Sequence, residues 1–309
     1  MPAQPFRYRS AEEDSGRWAG FPFRSGDIVI STRSKTGTTW VQMICALLIF
    51  QAPDLPAQLG SLSPWLDHLI TPRDEVYAQL EAQRHRRFIK THTPLDGIPV
   101  DSRATYLVTA RHPLDMIVSL IYQSENIDRD AVRRLTGQLG QPVSSGQPPT
   151  RAAPRRSLHE RVLRWINSDS DPRADMDGLP GVMSHLRDAW GRRGEPNVLL
   201  IHYANLSADL EGQMRWLAAR LGIRVPEVAW PDLVKAATFE SMRSRASQLI
   251  PSPAVMKDHS AFFRRGRGGA GRELLTDDEL ARYHARAAEL APPDLLTWLH
   301  APVPGPAVG

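Results

Sequence analysis

The sequence predicts an α/β fold in which a central parallel sheet is flanked by helices. Four short apolar runs rich in β-branched residues, at 27–32 (DIVIST), 87–92 (RFIKTH), 104–110 (ATYLVTA) and 197–203 (NVLLIHY), read as strands buried on both faces. Helical patterns separate them, at 38–50, about 73–85, 113–125, 180–193 and 205–221. Such alternation builds a layered parallel sheet that binds ligands at the carboxyl ends of its strands. The third observation is local: the first run passes through a turn of small residues and a lysine straight into an apolar helix.

That first connection, STRSKTGTTW, has the makings of an anion cradle. A helix N-terminus offers backbone N–H groups without intrahelical partners and a partial positive charge. Gly37 lets backbone approach a ligand, Lys35 adds a full charge, and the threonine hydroxyls add donors. The alternative is a strand-to-helix turn whose threonines only cap the helix. A phosphate loop of the ATPase and kinase type places its lysine after the second glycine, whereas Lys35 precedes Gly37. RFIKTH and YLVTAR also end in basic residues, so no strand delivers an acid suited to holding Mg²⁺ for phosphoryl transfer.

The third strand leads into YLVTARHPLDMIVSLIY, which carries Arg111 at the strand end, Pro113 at the helix start and Ser119 two turns on. Arg111 and Ser119 can converge on one anion; the alternative is an ion pair from Arg111 to Asp115 beside an ordinary helical serine. Among three arginine clusters, those around Arg84, Arg86 and Arg87 and at Arg155 and Arg156 read as solvated faces. The third, Arg264, Arg265, Arg267 and Arg272, is interleaved with Gly266, Gly268, Gly269 and Gly271, which suits close wrapping of an anion.

RFIKTHTP supplies the candidate chemistry. Lys90 and His92 stand two apart at a strand end and so share a face. A neutral imidazole can take a proton near physiological pH. His68, His85, His159 and His284 read as structural residues; His112 beside Arg111 is the chief rival base. Asp67 and His68, in SPWLDHL, either line an acceptor site or belong to a surface pair.

These segments together resemble the cytosolic-type sulfotransferases that use 3'-phosphoadenosine 5'-phosphosulfate (PAPS). STRSKTGTTW resembles that family's TYPKSGTTW loop, with Arg33 and Ser34 in place of the usual Tyr-Pro. The resemblance implies that Lys35, Thr36, Gly37, Thr38 and Thr39 hold the 5'-phosphosulfate and that Trp40 stacks on adenine. YLVTARHPLDMIVSLIY resembles the 3'-phosphate motif, which implies that role for Arg111 and Ser119. ATFESMRS, FFRRGRGG and Tyr203 resemble the remaining nucleotide segments. They imply Thr238, Phe239 and Tyr203 near adenine, with Arg264, Arg265 and Gly266 on the 3'-phosphate. His92 becomes the general base, His112, where the family often has Asn, becomes a spacer or capping residue, and Lys90 and Lys35 stabilise charge at the sulfuryl and bridging oxygens. The resemblance runs from about Gly26 to Leu290 with a gap at 128–157. Ala237 and the Gly269-Ala270-Gly271 run depart from the family's Thr and GDW, and its dimer motif is poorly matched. KTHTPLDG, SPWLDH, MRSRAS and LAPPDLL look like mycobacterial glycolipid-type members, hence a bacterial protein.

The implied fold is the P-loop-nucleotide-kinase-like fold of sulfotransferases. The implied reaction is direct in-line transfer of a sulfuryl group from PAPS to a hydroxyl of a phenol, polyketide, lipid or glycolipid, leaving adenosine 3',5'-bisphosphate (PAP), with no metal required. Two alternatives compete: a P-loop-like nucleotide or small-molecule kinase, and a non-catalytic nucleotide- or RNA-binding module.

Length and composition set the frame. A chain of 309 residues, 41% hydrophobic and 23% charged, supports one large core. We expect a single domain over 19–300, with tails at 1–18 and 301–309. The Pro-, Gly- and Ser-rich stretch 137–156 reads as a flexible loop and possible acceptor lid. The apolar stretch from Val41 to Phe50 is about half the ~20 residues of a membrane span. The polar N-terminus lacks a secretory h-region. Cys45, the single cysteine, excludes an internal disulfide framework or Cys-rich metal site and fits a reducing cytoplasm. A net charge of +4 does not by itself argue for nucleic acid.

Overall fold

The computed structural model describes residues 5–135, 156–250, 253–264, 266 and 268–301. Of the expected loop at 137–156 and the expected tail at 301–309, all but Arg156 and Ala301 lie outside these residues.

Strands β1 (Ile28–Thr32), β2 (Phe88–Thr91), β3 (Thr105–Ala110) and β4 (Val198–His202) form one parallel sheet in the order β2-β1-β3-β4. All five residues of β1 are buried, as expected of a strand covered on both faces. Alternation still sorts the side chains. Ile28, Ile30, Phe88, Leu107 and Ile201 join the core beneath helices Thr38–Phe50, Leu210–Leu221 and Trp230–Ala237. Val29, Ile89, Tyr106, Val108 and Val198 join the other core, with helices Pro113–Asn126, Leu158–Ile166, Leu179–Gly191 and Asp277–Leu290.

The helices that follow β1 and β3 therefore leave on opposite faces of the sheet, and a crevice opens between them at the carboxyl edge. Register decides what reaches it. Ser31 pairs with Thr91 and Thr32 with Thr109, so Arg33 to Gly37, His92 and Arg111 all emerge at that one edge.

Several expectations need correction. Residues 5–18 are not a loose tail: Trp18 is 1% exposed in the core and donates to Asp67, and Tyr8 is buried against Asp96. Arg86 and Arg87 are not a solvated face. Arg87 forms a buried ion pair with Asp27, and Arg86 donates to the Gly26 and Leu221 carbonyls. The helix expected over 205–221 is two, Tyr203–Ala208 and Leu210–Leu221, because Asp209 leaves helical geometry and accepts from Gly212 N at 2.8 Å. Helices Leu158–Ile166 and Asp277–Leu290 were not anticipated, although each opens on a capping box, Ser157 with Glu160 and Thr276 with Glu279.

Candidate active site

A cavity of about 290 Å³ lies at the carboxyl edge of the sheet. Its floor is the turn after β1. Lys35 and Gly37 adopt left-handed backbone, at φ 64° and 116°. A Cβ on Gly37 would stand 3.1 Å from the Tyr203 ring, so both conformation and space favour glycine there. No side chain caps the helix Thr38–Phe50 that follows. Its first amides keep the donor capacity of a helix N-terminus, and Thr38, Thr39 and Trp40 line the cavity beside them. Trp40 is held by Nε1 donating to the Ala237 carbonyl at 2.9 Å and by edge contact with Tyr203, ring centres 5.2 Å apart.

Cations gather at this end. Lys35, Arg111 and Arg264 all line the cavity, as does Ser119. The Arg111 guanidinium lies 4.4 Å from the centre of the Tyr203 ring and donates to the Lys35 carbonyl at 3.4 Å. Lys35 Nζ donates to Gln123 Oε1 at 3.4 Å and sits 4.4 Å from the Phe262 ring centre. Burial first, and then the neighbouring Arg111 and Arg264, push the Lys35 amine down to about 8. Such a donor set fits a multiply charged anion. Phe239 and Gly266 complete this wall; a Cβ on Gly266 would stand 2.5 Å from the Phe239 ring.

The reacting end is built on β2. His92 Nδ1 faces the Thr32 carbonyl oxygen, which can only accept, so Nδ1 carries the proton and Nε2 keeps its lone pair. Burial, then Lys90 and Arg33, holds the imidazolium well below the usual histidine range. Lys90 Nζ lies 3.4 Å from the centre of the Trp65 indole, whose ring also stacks on His68 at 4.0 Å and meets His92 edge-on at 4.6 Å. Burial drives the Lys90 amine down to about 7. An unprotonated imidazole beside a titratable amine, next to an anion cradle, is suited to removing a hydroxyl proton while charge develops nearby.

Two expected residues fall elsewhere. Thr36 is buried under the turn, donating to the Arg33 carbonyl at 2.8 Å and sharing a hydrogen bond with Thr109, so its hydroxyl does not reach the cavity. Thr238 instead caps helix Phe239–Ser244, accepting from Ser241 N and donating to the Lys235 carbonyl. Arg265 lies outside the described residues. His112 is indeed a cap: its Nδ1 accepts from Leu114 N at 3.3 Å. Of the SPWLDH pair, His68 lines the cavity, while Asp67 is buried beneath it, accepting from Trp18, Thr91 and Thr93.

Sequence reasoning did not single out Gln123, Trp65, Glu13 or Asp177 for the cavity wall. Gln123 could have been found, because it follows Ser119 by one i,i+4 step on the same helix. Nothing local marks Glu13, which reaches the site only because residues 5–18 fold back and pair Glu13 with His68.

Comparison with known proteins shows the family and the fold. A family model described as "Sulfotransferase domain" matches residues 25–291. A glycolipid sulfotransferase of Mycobacterium bovis is 42% identical over 95% of this chain and 93% of its own length. One from Mycobacterium tuberculosis is 41% identical with the same coverage. Among solved structures, mouse sulfotransferase SULT7A1 complexed with PAP superposes with a TM-score of 0.66 at 19% identity, covering 92% of this chain and 91% of that one, which is a likeness of fold.

Proposed function

The chain belongs to the sulfotransferase family, and from that premise we propose that it moves a sulfuryl group from PAPS to a hydroxyl of a lipid or glycolipid, leaving PAP. PAPS supplies the sulfuryl group on a phosphate leaving group. Lys35, Gly37, Thr38 and Thr39 hold its 5' end, Arg111, Ser119, Arg264 and Arg265 its 3'-phosphate, and Trp40, Tyr203 and Phe239 its adenine. Thr36 and Thr238 serve this site through the turn and the cap they stabilise. His92 Nε2 accepts the proton of the acceptor hydroxyl, while Lys90 and Lys35 offset the negative charge that develops at the reacting oxygens.

The observation that carries this reading is the lock on His92: the hydrogen bond from Nδ1 to the Thr32 carbonyl fixes the tautomer that presents a basic nitrogen beside Lys90. An apolar part of the cavity wall, formed by Ile70, Leu120, Ile127, Val132, Val255 and Met256, supports an acceptor with an alkyl portion. So do the names of the mycobacterial relatives. Among the described residues no helix is long and apolar enough to cross a membrane. We place the enzyme in the cytoplasm, where the buried thiol of Cys45 stays reduced.

The test is incubation with labelled PAPS and a panel containing a phenol, a polyketide, a long-chain alcohol and a glycolipid. The expected result is one added SO₃ on the lipid acceptors, detected by mass; absence of transfer to every acceptor by folded, PAP-binding protein overturns the proposal.

A further inference from the structure

The cavity is electrically two-ended. Lys35 responds to Arg111 and Arg264, Lys90 to Glu13 and Asp67 and then to Lys35, and Glu13 first to the buried Arg33 and then to Asp67, Asp177 and Lys90. The wall therefore passes from guanidinium groups, through the two lysines, to the carboxylates of Glu13, Asp177 and Glu12. The nucleotide's anions belong at the first end. The second end adjoins Lys90 and His92, where the acceptor must present its oxygen.

Two groups at this acidic end are left unsatisfied by the protein. Glu13 is 8% exposed, and its Oε2 has no hydrogen-bond partner. Lys90 is 4% exposed on the same wall; its Nζ makes no hydrogen bond among the described residues and rests on the Trp65 ring. Unpaired buried polar groups are costly, so a ligand that supplies the missing bonds gains affinity there. Asp177 is held ready. Its Oδ1 accepts from Arg33 Nε at 3.2 Å and Nη2 at 2.7 Å, its Oδ2 accepts from Ser34 Oγ at 2.9 Å, and its side chain is still 31% exposed. Arg33 and Ser34 stand where the first loop departs from the family's usual Tyr-Pro, so this placement of Asp177 is built by this chain's own residues.

We propose that Glu13 and Asp177 form an acceptor subsite that reads the hydroxyls flanking the sulfated one, selecting an uncharged polyhydroxylated headgroup such as a sugar ring. The inference rests on the sulfuryl-transfer reading and narrows its acceptor. Burial raises the Glu13 carboxyl to about 8, so near neutrality it exists as acid and as carboxylate. A hydroxyl donates and accepts, and therefore satisfies both forms; an anionic group would face three carboxyl side chains, while the guanidinium of Arg33 is already engaged by Asp177 and the His92 carbonyl. A flat phenol brings no second hydroxyl to either residue.

The test compares hexyl glucoside, hexanol and hexyl glucuronide as acceptors with PAPS, and measures binding of hexyl glucoside to PAP-saturated protein by calorimetry. The glucoside should exceed both others in kcat/KM by about tenfold or more, the worth of one hydrogen bond to a charged group. Glu13→Leu and Asp177→Asn should each lower the glucoside-to-hexanol ratio of kcat/KM about tenfold, chiefly through KM. Using a ratio cancels any loss common to both acceptors. Glu13→Leu removes an unpaired buried carboxyl and keeps the fold testable if Asp177→Asn disturbs Arg33. Glucoside binding that weakens in Glu13→Leu, with no sulfated product from any acceptor, upholds the subsite and sinks only the transfer reading. An unchanged ratio in both variants, or equal use of glucoside and glucuronide, overturns the subsite.

Discussion

Arg33 donates from Nη1 to the backbone carbonyl of His92, and the same guanidinium holds Asp177 through Nε and Nη2. His92 is thereby fixed twice, by its own Nδ1 on the Thr32 carbonyl and by Arg33 on its main chain. Arg33 is 2% exposed and sits at the end of β1, so it can reach across to the end of β2 only because those strands are parallel neighbours.

Arg33→Met should therefore act on chemistry through the position of the base. A misplacement of about 1 Å can cost about 10²-fold in rate, so a kcat loss approaching that is expected, with PAP affinity changed far less. The His92 carbonyl and Asp177 lose their donor, which should lower stability by about 1–3 kcal/mol in denaturant melts. Arg33→Lys, which keeps one donor, should recover part of kcat. Equal loss of kcat and of PAP binding would assign Arg33 to the nucleotide loop instead.

His92→Ala should retain PAP binding and lose ~10²–10⁴ in turnover on an aliphatic alcohol. The base works as the neutral imidazole. Because its conjugate acid is held well below the usual histidine range, the working form persists as pH falls through 6.5, and kcat should show no histidine limb there. On a phenol the defect should shrink as pH approaches the phenol's pKa of about 10, where a base is less needed. Near-normal kcat of folded His92→Ala on an aliphatic alcohol would place the base elsewhere.

The sheet and the cradle were legible because both are local. β-branched runs mark β1 to β4, and a lysine and glycine between a strand and an apolar helix mark the anion site whatever lies around them. Thr36 shows the limit. Sequence places it in the loop, but only the fold turns its hydroxyl down onto Thr109. The acceptor end was hidden for a longer-range reason. Glu13, Trp65 and Asp177 lie in three separate segments, and they meet only through pairings such as Glu13 with His68 and Trp65 with Lys90.

The two buried lysines predict a proton linked to nucleotide binding. In the free protein burial lowers Lys35 to about 8 and Lys90 to about 7, so near pH 8 a large share of both amines is neutral. PAP carries two phosphates whose second ionisation, near pH 6, is complete by pH 8, so the ligand itself has no proton to exchange there. Its negative charge favours the ammonium form, and binding should take up on the order of one proton. Uptake fixes the sign of the affinity profile: PAP should bind more weakly as pH rises from 7 to 9. Calorimetry in two buffers of different ionisation enthalpy measures the proton count directly. Lys35→Met and Lys90→Met should each reduce it, and the Glu13→Leu background removes a buried acid that titrates in the same range. Zero uptake, or net release, at pH 8 would mean that these amines are already charged in the free protein, and the electrostatic role given to Lys90 would fall with it.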